Sequence, residues 1–234
     1  MTTQLSIPMS SPDITSDDIA AVNAVLQTSI LSIGSQIEAF EQAAADAVGA
    51  KYGIGVNSGT AGLHLGVIAA GVEQGDLVIT SPFSFIASAN AILYERGVPI
   101  FVDVDPQTGN LDPVLVAEAA YDLYRGGKYA QQWLPARLSS KSGASPKSLF
   151  DVYPLKAILP VHAFGQPANM APLTEIAREH QLRVIEDVCE AIGAEYQGHK
   201  VGTLGDMGVF AFYPDKQVTT GEGGMVVTND EDRA

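Results

Sequence analysis

Lys216 stands in the run FYPDKQVTTGEGG, after an apolar stretch and before a glycine-rich turn, in a chain with only 13 lysines and arginines. Its ordinary reading is a solvated surface lysine. Flanking Phe212, Tyr213 and Pro214 also permit a partly desolvated amine, and burial moves an amine toward the free base that can form a Schiff base. Asp187, in VIEDVCEAIGA, ends another apolar run. It reads either as the N-cap of a following helix or as a strand-end carboxylate that holds a proton on a pyridine nitrogen, because carboxylates are rarely buried without a partner. The separation of 29 residues leaves room for one connection and one strand, so both side chains can emerge at the same edge of a sheet.

Three further sites carry polar or aromatic chemistry. In VNSGTAGLHL an apolar run stops at Asn57 and turns through Ser58, Gly59 and Thr60 into a helical pattern. Free amides and the dipole at a helix N-terminus bind anions, and two hydroxyls add donors, although an ordinary N-cap has the same appearance. The segment lacks a Walker lysine and dinucleotide glycine spacing, so a single phosphate is the fitting ligand. Phe85, in TSPFSFIASANAI, is either core or a ring that stacks on a flat ligand. His162, in LPVHAFGQPANM, is either a satisfied strand-end histidine or a second contact to that ring.

The elements that must position these residues follow from periodicity. Short Val-, Ile- and Phe-rich runs at Tyr52–Val56, Leu77–Thr80, Ile100–Val104, Lys156–Val161, Arg183–Asp187, Met207–Phe212 and Gly224–Thr228 predict seven strands. Helical spacing fills Asp17–Leu26, Gln36–Val48, Ala61–Ala70, Ala87–Arg96, Pro113–Tyr124 and Ala171–His180. Ser35 with Glu38 has the capping-box pattern, and Thr15–Ser16 precedes the acidic pair Asp17–Asp18. The alternation implies an α/β fold, a mostly parallel seven-stranded sheet with helices on both faces and ligands at the carboxyl ends of strands. One segment breaks the rhythm. Residues 121–156 hold Arg125, Lys128, Arg137, Lys141, Lys147 and Lys156 against Asp122 and Asp151, and read as a surface insertion or a basic flap over an anionic substrate.

Composition bounds the partners. The 234 residues are 46% hydrophobic and 17% charged, enough apolar material for a core. A net charge of −14 excludes nucleic acid and anionic membrane as main partners, since both reward clustered cations. One cysteine, no basic-then-apolar leader and no long apolar run point to a cytoplasmic protein off the membrane. No metal site is expected, and the absence of GxGxxG after the first strand disfavours a nicotinamide-dependent dehydrogenase.

Taken in order, PMSSPDI, IEAFEQAAADAVGAKYGIGVNSGTAGL, GDLVITSPFSFIASANAIL, PIFVDVDPQTGNLDP, LPVHAFGQPANM, IEDVCEAIGA and FYPDKQVTTGEGGMVVTND resemble the DegT/DnrJ/EryC/StrS family of sugar aminotransferases. The resemblance covers nearly the whole chain apart from the basic insertion. It implies the large domain of the aspartate-aminotransferase fold (fold type I), spanning 1–234, pyridoxal 5'-phosphate as cofactor, and a homodimer with sites at its interface. By the same resemblance Lys216 is the Schiff-base lysine and proton carrier, and Asp187 is the pyridinium partner. Gly59 and Thr60 match the family's phosphate-binding turn, beside the Ser58 hydroxyl, and Phe85 stands where the family places an aromatic ring against the cofactor.

The chain departs from the family pattern in three places. Glu190 stands where the family usually has a Gln that bonds the cofactor's phenolic oxygen. Ala211 replaces a phosphate-binding Ser, removing about 1 kcal/mol of hydrogen bonding. The family pattern continues into a smaller C-terminal domain, and because the sequence stops at Ala234 this chain alone is expected to lack that domain and to be inactive. The activity implied is transfer of an amino group from an amino acid, with glutamate expected, to a nucleotide-linked keto sugar for surface polysaccharide or natural-product biosynthesis. The basic insertion around Lys141 and Lys147 is expected to help hold the nucleotide diphosphate. Alternatives are a sugar dehydratase on the same scaffold, disfavoured because that branch typically has His at the position of Lys216, and a noncatalytic regulatory or assembly module.

Overall fold

The computed structural model describes residues 10–139 and 153–234. Its strands are β1 (Tyr52–Val56), β2 (Leu77–Thr80), β3 (Val98–Phe101), β4 (Leu155–Leu159), β5 (Arg183–Asp187), a small hairpin of β6 (Glu195–Tyr196) and β7 (His199–Lys200), then β8 (Met207–Ala211) and β9 (Gly224–Thr228). Seven of them form one sheet in the order β1-β9-β8-β5-β4-β2-β3. Only β9 runs against its neighbours; the pairs β2–β3, β2–β4, β4–β5 and β5–β8 are parallel.

Alternation along the strands explains how helices cover both faces. Ile79, Ile100, Ile158 and Val184 face one layer, with Val116, Leu123, Leu173 and Ala177 packed on them from α5 (Pro113–Arg125) and α8 (Met170–His180). The adjacent residues Val78, Ala157 and Ile185 face the other layer, under Leu63, Val67, Ala91 and Ile92 of α3 (Gly59–Ala69) and α4 (Ala87–Tyr94). Successive side chains of a strand point to opposite faces, so runs apolar at every position are buried on both. Near β8 and β9, α2 (Ser35–Val48) brings Phe40 edge-on to Phe212 at 5.2 Å. By contrast α1 (Ser16–Leu26) has no buried residue and leaves Ile19, Val22 and Leu26 exposed.

Several boundaries depart from the periodicity. The third strand covers Val98–Phe101 rather than Ile100–Val104. Pro99 lies inside it, which is tolerated because β3 is the edge strand, where a missing N–H costs no ladder bond. The capping box lies on α1, where the Thr15 side chain and Asp18 exchange bonds; α2 starts one residue before the expected position, at Ser35, so Gly34 occupies its N-cap without a side-chain bond.

Where it is described, the basic segment carries helix. The fifth helix continues through Arg125, and α6 (Gly127–Gln131) and α7 (Ala136–Ser139) follow it. Buried Asp122 ties them together, accepting from Gln132 Nε2 at 2.6 Å and Trp133 Nε1 at 3.2 Å. Arg125 stacks over Tyr129, its guanidinium 3.6 Å from the ring centroid. Lys141 and Lys147 lie outside the described residues. The described flank at Tyr153 leads into Leu155, which pairs with Leu77 at the amino end of β2, the edge of the sheet opposite Asp187. The segment's return to the sheet is therefore not at the ligand edge.

Candidate active site

The carboxyl ends of the parallel strands border a cavity of about 750 Å³, the place where doubly wound sheets collect ligands. Ser58, Gly59, Thr60, Phe85, Asp187, Glu190 and Lys216 all line it. His162 does not: it is fully buried, Nδ1 accepts the Ala168 N–H at 2.9 Å, and Nε2 faces Glu186 Oε2 at 3.1 Å. Because Nδ1 accepts, Nε2 carries the proton and donates it to Glu186. The satisfied strand-end histidine is the reading that fits.

Lys216 follows the end of β8 by five residues, on a loop whose amide at 216 donates to the Tyr213 carbonyl. Its side chain is 18% exposed, with Nζ 3.5 Å from Glu190 Oε1 and 3.7 Å from Asp215 Oδ1. Glu190 spends its other oxygen on the Phe164 N–H at 3.0 Å. Among the described residues bordering the cavity Lys216 is the single cation, set against Asp187, Glu190, Asp215 and Glu222.

No helix follows Asp187, so it is not an N-cap; its Oδ1 accepts the Cys189 N–H at 3.2 Å in a turn. Oδ2 accepts from the Ser88 hydroxyl at 2.8 Å. The Ser84 and Ser88 hydroxyls are 2.7 Å apart, and since Ser88 donates to the carboxylate, Ser84 must donate to Ser88. A short chain of donors thus runs from the cavity wall at Ser84 to buried Asp187. Neither serine stood out in the sequence, although TSPFSFIAS places them four residues apart beside a strand end. Cys189, next in this turn, has its thiol pushed well above the ordinary range, chiefly by burial and then by the Asp187 charge. A thiol so held is a poor nucleophile.

The turn into α3 is an anion cradle in form. The Ser58 side chain caps the helix by accepting the Ala61 N–H at 3.1 Å, and the amides of Gly59 and Thr60 have no partner among the described residues. Glycine is required at 59: a Cβ there would lie 2.6 Å from Ala211 Cβ and 2.9 Å from Cys189 Sγ. Phe85 presents a ring that is 75% exposed.

Residues 12–234 match the DegT/DnrJ/EryC1/StrS aminotransferase family. The chain belongs to that family. It is 42% identical over 207 residues to the GDP-perosamine synthase of Caulobacter vibrioides, covering 88% of this chain and 47% of that protein. It is 36% identical over 202 residues to EpsN of Bacillus subtilis, described as a pyridoxal phosphate-dependent aminotransferase, covering 86% of this chain and 46% of that one. Among solved structures, the aminotransferase from Psychrobacter cryohalolentis superposes with a TM-score of 0.77 at 34% identity, over 96% of this chain and 50% of that chain. The chain spans about half the length of the curated relatives it matches. Its sheet is the α/β core of the fold type I aminotransferases. Among the described residues no helix is long and apolar enough to cross a membrane.

Proposed function

We propose that this chain is the cofactor-binding portion of a transaminase that moves an amino group from an amino acid, glutamate being the expected donor, to a keto sugar carried on a nucleotide. Pyridoxal 5'-phosphate is the cofactor of this reading. The residues fit it. Gly59 keeps the mouth of α3 clear of a side chain, leaving two unpaired amides and the Ser58 and Thr60 hydroxyls for a phosphate. Phe85 offers a ring face, and Asp187 and Lys216 border the same cavity. That convergence of one lysine, one strand-end carboxylate and one helix N-terminus is the observation that carries the proposal.

When bound, the cofactor supplies an electron sink for the carbanion formed beside the substrate's amino group. Lys216 removes the proton from that carbon and returns it on the far side of the exchange, acting as base and then acid. Glu190 and Asp215 hold the ammonium form between these steps. Asp187 keeps a proton on the ring nitrogen, and the donors from Ser88 and the Cys189 amide fix its orientation.

A homodimer completes the reading. Among the described residues the cavity border holds four carboxylates against one lysine, so cations for a nucleotide diphosphate would come from outside them, a second copy being one source. Leu65, Ile68, Leu93 and Tyr94, all about half exposed on α3 and α4, form an apolar surface suited to a second copy. Relatives of this family include a GDP-perosamine synthase, which supports a nucleotide-linked sugar as acceptor.

The test is visible absorbance of the purified chain with pyridoxal phosphate, beside Lys216→Ala, before and after glutamate. A band that requires Lys216 and is lost with glutamate is the expected result. No Lys216-dependent band would refute the transaminase reading for this chain and favour the scaffold role, the alternative that the excess of carboxylates around Lys216 supports.

A further inference from the structure

Phe164 is the one bulky residue of the cavity border held in the left-handed region, at φ 52 and ψ 27, in the short turn Ala163–Gly165 after β4. An aromatic residue there is strained by about 1–2 kcal/mol relative to glycine. Its ring gains no burial in return, being 82% exposed. What the strain does secure is position. The Phe164 N–H donates to Glu190 Oε2 at 3.0 Å, and Glu190 Oε1 is the oxygen 3.5 Å from Lys216 Nζ. The ring meets Phe83 edge-to-face, centroids 5.8 Å apart. Phe83, 48% exposed, has its own edge against the Gly109 turn, where a Cβ would lie 3.5 Å from it. Two exposed rings are thus fixed from three loops, on the wall of a cavity whose reactive lysine is one carboxylate away. Phe85 is assigned to the cofactor; Phe83 and Phe164 are not.

We propose that the Phe83–Phe164 pair is the subsite for the pyranose ring of the acceptor sugar, its apolar C–H face laid against Phe164. This rests on the transaminase reading. The amino-acid donor is the poorer occupant, because its carboxylates need cations and these two rings offer none. The nucleotide is also the poorer one, because Phe164 and Lys216 border the same cavity and share Glu190, and the sugar is the part of the acceptor that carries the carbon whose bond to nitrogen changes.

The experiment uses the full-length protein in the reverse direction, in which the amino group leaves the sugar carbon for 2-oxoglutarate, giving the keto sugar and glutamate. GDP-perosamine and a panel of UDP-linked amino sugars are the probes, with glutamate release as the readout. Phe164→Gly deletes the ring but suits the backbone, so the fold is not put at risk; Phe164→Tyr keeps the ring. The expected result is a rise in sugar KM of about five- to tenfold for Phe164→Gly, the size of one aromatic contact. The KM for 2-oxoglutarate should move several-fold less, and Phe164→Tyr should restore the sugar KM. If both KM values rose together, or neither did, the subsite would be wrong while the transaminase reading stood. A wild-type protein with no Lys216-dependent band, or with none of the panel turned over, would instead remove the reading on which the subsite rests.

Discussion

Replacing Gly59 by alanine tests whether the cradle at the start of α3 is built by close approach. The backbone at 59 is not in the left-handed region, and it opens a helix. By propensity alone the change should stabilise the chain by about 0.4–1 kcal/mol. The packing predicts the opposite sign. The new Cβ would lie 2.6 Å from Ala211 Cβ, 2.9 Å from Cys189 Sγ and 3.4 Å from Ala211 Cα. Carbon atoms rest about 3.5–4.0 Å apart, so the first contact is short by roughly 1 Å, and its partner is a methyl on a strand that cannot rotate away. Overpacking of this kind costs about 1–3 kcal/mol. For a chain of this size that lowers Tm by about 2–4 °C per kcal/mol. The displaced helix start should weaken pyridoxal phosphate in parallel. Ala211→Gly removes the shortest contact, so the double variant should regain stability relative to Gly59→Ala, with a coupling energy of about 1 kcal/mol or more. Denaturant unfolding and cofactor titration of the four proteins measure both. If Gly59→Ala were as stable as wild type, or Ala211→Gly gave no rescue, the close approach would not be what excludes a side chain.

Three further outcomes follow from named contacts. Ser88→Ala removes a donor to buried Asp187 and an acceptor from Ser84, and should cost about 1–3 kcal/mol and weaken cofactor binding. An alanine variant with unchanged cofactor affinity would refute the positioning role. Glu186→Ala strips one acceptor from His162 and from the amides of Gly202, Leu204 and Gly205. It should lower stability by about 3–5 kcal/mol, read by urea unfolding. Cys189 stays a thiol in the folded chain at pH values where the unfolded thiol, near 9.0, ionises. Its contribution is therefore intact below pH 9 and lost as pH rises, by up to about 1.4 kcal/mol per unit. Cys189→Ala should flatten the stability profile above pH 9, and identical slopes for the two proteins would count against burial of that thiol.

The sheet was legible because its strands are short, β-rich and buried on both sides, which gives uninterrupted apolar runs between helical stretches. What the runs do not carry is the edge: Pro99 is acceptable only because β3 is last in the sheet, a fact of topology rather than of composition. The described part of the basic segment holds helix that its composition does not announce. Its residues are polar and basic, and Asp122 and Trp133 form a part-buried bond across eleven residues beside two short helices. Candidate residues such as Asp187 at a strand end and Lys216 on the loop after β8 could be picked out because a carboxylate or an amine is unusual beside apolar runs. Ser84, Ser88 and Phe164 could not, since serine hydroxyls and a left-handed phenylalanine take their meaning from partners distant in the chain.

Adjacent acids in VIED show how register decides chemistry. Glu186 and Asp187 both end an apolar strand, and nothing in their types says which one faces a ligand. In the β5–β8 pairing Glu186 stands opposite Gly208 and Asp187 opposite Val209. Successive residues alternate faces, so Glu186 turns into the protein, where one ring N–H and three amides satisfy it, and Asp187 turns toward the cavity. A slip of one residue would exchange them, burying the shorter acid among four donors it could not all reach and presenting the longer one to the site. The small residues of β8 follow from the same register. Gly208 is where the chain at Gly202 passes within 2.4 Å of a would-be Cβ, which lets that turn close over Glu186. Three residues on, Ala211 gives Gly59 its room. The interior and cavity carboxylates are thus set by the β5–β8 pairing, Ala211 ends β8 beside Gly59, and the loop that carries Lys216 starts where β8 ends.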